Sequence, residues 1–407
     1  MRHRLVTGIE QALGWSGPCA LGGEFAVGSL HDPSLGTRLL TPQHLLDTVM
    51  RRSLAPPQVR CVRDGAEVAS HEYLSEITTR RGQVLPMVAP AGLGRVLAAG
   101  ATLVVDGLNR WDPTLEIACR ALQWWAHETC QVNVYLTTRD SSGFALHWDD
   151  HDVLIVQLDG RKHWEVRGPS RLAPMFRDLD PNLEPPDEIT WSGTLHQGDV
   201  LHIPRGYWHR ASRADDGEGH SLHATFGLQQ RTGIDLLTWL ADQSARDQEV
   251  FRRDLPPVQA ADQDGHAQDL RQATAALLSA MDIDQYRRWR QQRQGSARHV
   301  VTHGLFGAID EVVAITEFPP LITREDGALR VAAAGTQLSL PARAEPAVRQ
   351  LLSGHPVSIA EVAEDFDIDA TKLAHVLLEE GLCAEVTDAL RSGCSELAPS
   401  EFCSNTH

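Results

Sequence analysis

Two histidines and an aspartate, set in two short motifs, carry the chemistry legible in this 407-residue sequence. The first motif is His147-Trp148-Asp149, followed by the mostly apolar run Val153 to Leu158, the pair Asp159-Gly160, and Arg161-Lys162-His163-Trp164. The second is Gly198-Asp199, four residues, Pro204, four more residues and His209. Two imidazoles and one carboxylate hold a metal on one face and leave open positions opposite, which is what Fe(II) needs to activate oxygen. Alternate residues of a strand share a face, so His147 and Asp149 point together while Trp148 turns into the core. His209 must then arrive from a different strand. His-x-Asp alone is a weak signal in a chain with 19 histidines. Joined to the second motif at this spacing, it reads as a metal site rather than as histidines that only pack or hydrogen-bond.

Other histidines compete for the site. His151 has the parity of His147 and Asp149 and is expected at the rim. His202 reads as structural, and His223 as a contact behind the ligands. His163 and His220 remain open. Lys162 is one of only two lysines among 37 basic side chains. It opens the strand that returns after Asp159-Gly160, where its charge could take the far carboxylate of a dicarboxylic co-substrate. Thr138, on the preceding strand, could add a hydroxyl, and Asn133 is a further candidate. Thr138 has the parity of Leu136, however, whereas Asn133 and Tyr135 face the other way.

The elements that must position these residues are mostly strands. Segments 131–138, 151–158, 161–167, 199–203, 207–212 and 221–228 alternate or run apolar between Gly and Pro turns, which suggests an antiparallel double-sheet jelly roll. Upstream, Thr41 and Pro42 open a helix, Val59 to Arg63 reads as a strand with an Asp64-Gly65 turn, and residues 94–100 as a helix before the buried strand 101–106. Residues 113–127 carry apolar positions at helical spacing, as a core-packing helix does. Residues 1–40 yield no placement. After Thr232 the strand pattern gives way to helices broken at Pro256-Pro257, ending in the basic stretch Tyr286 to Arg293. A third unit holds two short strands around Gly335 and helices opened by Ser358 and Asp369, a winged-helix pattern. Its segment 341–390 has ten acidic side chains against three basic ones, so docking or packing is expected there rather than DNA binding.

Length alone favours two or three domains. The expected divisions are 1–231, a catalytic barrel with N-terminal elaboration; 232–302, a helical segment; 303–390, winged-helix-like; and 391–407, a flexible tail. The net charge of −17 argues against nucleic acid and suits a basic polypeptide, although it also simply keeps a protein soluble. No apolar run is long enough for a membrane span and no secretory signal is apparent. Seven scattered cysteines without a CxxC pair fit reduced thiols, and a cytoplasmic location follows.

The segment Asn133 through His147-Trp-Asp149 to Gly160-Arg-Lys162-His-Trp164, with the Gly198 to His209 motif, resembles the JmjC-type cupins of the ribosomal oxygenases. The resemblance runs along most of the chain. It implies an α+β fold: a double-stranded β-helix (the jelly-roll or cupin barrel), then a helical dimerisation segment and a C-terminal winged helix. It also implies Fe(II) held by His147, Asp149 and His209, 2-oxoglutarate anchored by Lys162 with Thr138 contributing, and O2 as oxidant. The partners implied are a second copy of the chain and a ribosomal protein hydroxylated on a His or Arg side chain. Two rivals stand beside this reading: the same chemistry on a biosynthetic peptide, a free amino acid or another small molecule, and a non-catalytic cupin scaffold. The sequence does not separate hydroxylation from demethylation.

Overall fold

The computed structural model describes residues 3–138, 143–175, 183–212, 219–255, 263–293, 300, 302–395 and 397. Its centre is one long strand, Asp152–Arg167, shared by two sheets. Up to Gly160 it lies between Asp199–Ile203 and Ser221–Gln229. That sheet continues through Thr129–Thr137, Thr102–Val105, Val59–Arg63 and Ala66–Glu67, with Ala26–Ser29 at the other edge. Beyond Gly160 the strand pairs instead with Ile189–His196 and Trp208–Ser212. All these pairings are antiparallel.

The expected two strands with a turn at Asp159-Gly160 are therefore a single bent strand. Gly160 has φ 65°, and a Cβ on it would come 1.9 Å from the His220 carbonyl oxygen. Only glycine can pass this close to a neighbouring backbone while turning the strand from one sheet to the other. The run Val153 to Leu158 is apolar apart from Gln157 because both faces are covered, and the buried Gln157 amide donates to the Asp159 carbonyl at 2.8 Å and to Ser221 Oγ at 3.0 Å. Val153 and Ile155 pack with Trp164, Val166, Leu195, Leu201 and Ile203 between the sheets. Leu154, Val156 and Leu158 join the larger core on the other face, with the helices Arg4–Leu13 and Pro113–Ala126. Ile189–His196 is a strand the sequence pattern did not reveal, with mostly half-buried or exposed side chains.

Residues 1–40 hold a helix capped by His3, whose Nδ1 accepts from the Leu5 N–H, and the edge strand Ala26–Ser29. The Pro113–Ala126 helix starts where expected, with Asp112 accepting from Leu115 N. It also carries the C-terminal unit: Arg120 donates to the Ala314 carbonyl at 3.2 Å and Trp124 Nε1 to that of Thr316 at 2.9 Å.

Three helices follow the barrel, Gly233–Asp247, Gln263–Ser279 and Ile283–Arg293; the Pro256-Pro257 break lies outside the described residues. The C-terminal unit has two three-stranded sheets and the helices Glu345–Leu351, Ile359–Phe366 and Ala370–Glu379. Ser358 and Asp369 cap the last two as expected. The tail departs from expectation. A helix runs over Asp388–Cys394, and fully buried Leu397 accepts from Arg4 N. Residues 398–407 lie outside the described residues.

Candidate active site

His147 and Asp149 lie on an extended segment before the long strand begins, not on a regular strand. Backbone bonds fix them: His209 N donates to His147 O at 2.7 Å, His147 N to His209 O at 3.1 Å, and Gly206 N to Asp149 O at 2.9 Å. The two motifs are thus stitched directly together. Trp148, between the ligands, is buried as expected.

One donor atom from each of His147, Asp149 and His209 lies within 4.8 Å of the others. His147 Nδ1 meets the Ala145 carbonyl at 2.8 Å, and His209 Nδ1 the Tyr207 carbonyl at 3.1 Å. A carbonyl can only accept, so each Nδ1 donates, and Nε2 is the ring atom that would meet a metal. Fixing the ring through Nδ1 in this way is how proteins orient a metal-binding imidazole. His209 Nε2 is 3.5 Å from Asp149 Oδ2. Burial pushes the Asp149 carboxyl up, but the His209 hydrogen bond and the neighbouring imidazoles outweigh it and hold it well below the usual range. Two imidazoles and a carboxylate converge here, a donor set that fits a divalent metal such as Fe(II).

These three residues line a cavity of about 490 Å³ between the sheets. Lys162, 2% exposed, lines it too. Its backbone is four residues, about 13 Å at ~3.3 Å per residue, from that of Val166, which pairs with His209. Lys162 Nζ donates to Thr137 Oγ1 at 3.0 Å, and Thr137 and Thr102 share a 2.9 Å hydrogen bond. A buried ammonium at a cavity wall suits an anionic ligand group.

Thr138 is not part of this wall. Its hydroxyl donates to the Leu97 carbonyl at 2.5 Å; the neighbour Thr137 is fully buried behind the wall, where it holds Lys162. The physical reason is strand alternation: Thr137 shares the inward face with Tyr135 and Asn133. Asn133 does line the cavity, its Oδ1 accepting from Gly107 N at 3.0 Å.

His151 lines the cavity beside Asp150, at 3.2 Å. His202 is structural, bonded to Asp152 at 3.1 Å and the Glu24 carbonyl at 3.2 Å. His163 and His220 bond to Thr194 and Asp159. His223 faces the cavity, stacked on Tyr135 with ring centroids 4.8 Å apart. Burial, and then the Lys162 charge, hold it neutral. Its Nδ1 and the Nε1 of Trp164 are buried without a protein partner, as expected of walls facing a polar ligand. Tyr135, Trp164, Thr102, Arg60 and Asp106 also line the cavity and were not singled out from the sequence.

Residues 113–236 match the JmjC domain family. Human ribosomal oxygenase 1 is 39% identical over 175 residues, 41% of this chain and 27% of that protein. The rat ribosomal oxygenase 1 is 35% identical over 175 residues, 41% of this chain and 29% of the relative. The Brugia malayi bifunctional lysine-specific demethylase and histidyl-hydroxylase NO66 is 33% identical over 156 residues, 37% of this chain and 22% of the relative. The matched part thus spans under a third of these relatives. In structure, Escherichia coli YcfD superposes with a TM-score of 0.55 over 94% of this chain and 99% of that one, at 17% identity. A second YcfD structure, described as a ribosomal oxygenase in complex with cobalt and 2-oxoglutarate, gives 0.53 at 16% identity, over 91% of this chain and 98% of that one. Residues 113–236 thus resemble a JmjC domain, and the fold of mixed helices and sheets is similar to that of YcfD.

Proposed function

We propose that this chain is an Fe(II)- and 2-oxoglutarate-dependent oxygenase that hydroxylates a side chain of a protein substrate, His or Arg, in a ribosomal protein. The observation that carries the reading is the convergence of His147, Asp149 and His209 in the cavity that also holds the buried Lys162. The relatives named ribosomal oxygenase, and the YcfD complex with cobalt and 2-oxoglutarate, support the same chemistry and substrate class.

His147 and His209 would bind the metal through Nε2 and Asp149 through a carboxylate oxygen, leaving the opposite positions open. Bound Fe(II) supplies the oxygen-activating redox chemistry, with 2-oxoglutarate as the co-reductant. Lys162, seated on Thr137 and Thr102, would pair with the far carboxylate of 2-oxoglutarate. Asn133 remains a candidate for a further polar contact. The walls formed by Trp164, Tyr135 and Val153 would exclude bulk water.

The remaining parts of the chain fit this role. We assign 1–231 to the catalytic unit, 232–302 to a helical dimerisation segment and 303–390 to a winged-helix-like unit. Exposed Ile234, Leu237, Leu278, Met281 and Ile283 on and between those helices support burial against a second copy. Among the described residues no helix is long and apolar enough to cross a membrane, and a cytoplasmic site of action suits a ribosomal substrate. Intact-protein mass spectrometry of ribosomes from cells with and without this protein tests the substrate class. One ribosomal protein heavier by a single oxygen atom in the presence of the enzyme is expected; identical mass spectra would remove the ribosomal assignment.

A further inference from the structure

Among the described residues lining the catalytic cavity, the carboxylates are Asp106 and Asp149 and the fixed cations are Arg60 and Lys162. On the oxygenase reading, Asp149 is committed to the metal and Lys162 to the co-substrate. That leaves Asp106 as the carboxylate able to receive a positively charged substrate side chain. It is already taken. Arg60 Nη2 lies 2.6 Å and Nε 3.0 Å from the same Asp106 oxygen, while Nη1 donates to Glu67 at 3.0 Å. Arg60 and Asp106 face each other because their strands, Val59–Arg63 and Thr102–Val105, pair with Arg60 opposite Val104, two residues before Asp106. Both side chains are only partly exposed, 22% and 28%, so a competing cation could not be compensated by water alone. Once a divalent metal and a dicarboxylate are bound, the fixed charges of the cavity balance.

We infer that Arg60 is a specificity-determining residue: by occupying Asp106 it closes the cavity to cationic substrate side chains and selects an uncharged, hydrogen-bonding one. A guanidinium or ammonium entering beside Arg60 meets a like charge and, among the described lining residues, a carboxylate already paired through Oδ2, an arrangement that disfavours it. An imidazole, carboxamide or ureido group meets no such penalty and has Tyr135 and Asn133 on the same wall. The inference rests on the oxygenase reading, and it narrows the choice left open there between a neutral and a cationic target residue.

The test compares two probes of equal shape and different charge, N-acetyl-arginine methylamide and N-acetyl-citrulline methylamide. Each is added to the full-length protein loaded with Mn(II) and 2-oxoglutarate. Paramagnetic broadening of the probe's side-chain proton lines reports binding near the metal. Wild type is expected to broaden the citrulline probe about tenfold more than the arginine probe, one decade corresponding to ~1.4 kcal/mol. Arg60→Met, which frees Asp106, is expected to shift the ratio towards arginine by about tenfold or more, and Arg60→Met with Asp106→Asn to abolish that shift. Equal broadening of the two probes by wild type, or a ratio unmoved in Arg60→Met, overturns the inference. The wild-type comparison decides it even if the variants fail to fold. Failure of wild type to take up Mn(II) and 2-oxoglutarate, measured first by calorimetry, overturns the oxygenase reading and this inference with it. A loaded protein with the wrong selectivity overturns only this one.

Discussion

Replacing Lys162 by Met separates co-substrate binding from metal binding and from folding. The side chain is 2% exposed and holds Thr137 at 3.0 Å. Removing one partner of a buried charge pair costs about 2–5 kcal/mol in binding, because the other charge is left uncompensated. The affinity of the Mn(II)-loaded protein for 2-oxoglutarate should therefore fall between about 30-fold and a few thousandfold. Folding should not suffer. Methionine fills similar volume, Thr137 keeps its bond to Thr102, and a buried ammonium is removed from the unliganded protein. Calorimetric titration gives the affinity and a denaturation curve the stability. At a 2-oxoglutarate concentration about 100 times the wild-type Kd, wild type should gain ~2.7 kcal/mol of stability. A variant weakened about 100-fold should gain only ~0.4 kcal/mol under the same conditions. A Kd within about threefold of wild type would refute the role given to Lys162. So would an equal loss of Mn(II) affinity without 2-oxoglutarate, since the substitution would then have damaged the site as a whole.

Thr137→Val should weaken 2-oxoglutarate binding by roughly three- to tenfold, the worth of about one hydrogen bond, while Thr138→Val leaves it unchanged; the same titration distinguishes them. Burial holds His3 and His355 well below the usual histidine value, at about 3 and about 4. Both stay neutral in the fold while an unfolded chain protonates near 6.5, so stability is intact above that pH and falls as the pH drops from about 6.5 towards 4 and then 3. Urea midpoints at pH 7.5 and 5 should show the loss, and His355→Gln should reduce it. Gly160→Ala should destabilise the barrel by about 2 kcal/mol or more, because the new Cβ would meet the His220 carbonyl; an unchanged melting temperature would contradict that.

The convergence of His147, Asp149 and His209 was legible because the three residues sit in two compact motifs, and the expectation that Lys162 faces the same cavity followed from its place just past Asp159-Gly160. Alternation sets the two threonines apart: Thr137 shares its face with Asn133 and Tyr135 and holds Lys162, while the Thr138 hydroxyl donates to the Leu97 carbonyl. The bend at Gly160 could not be told from a turn, since Asp-Gly serves both, and only the approach of the His220 backbone makes it a kink in one strand. The N-terminal helix was obscured by an uncommon cap, a histidine ring in place of Ser, Thr or Asp. Ile189–His196 lacks a clean buried face, so its sequence does not alternate. The Arg60–Asp106 pair joins residues 46 positions apart on strands whose pairing no local pattern reveals.

The central claim is that His147, Asp149 and His209 hold an iron that works with 2-oxoglutarate. The most direct test is purified protein with Fe(II), ascorbate and 2-oxoglutarate, assayed for 2-oxoglutarate binding and succinate formation, beside His147→Ala. The account predicts both signals in wild type and their loss in the variant. Absence of both in wild type, or binding unaffected by His147→Ala, would contradict it.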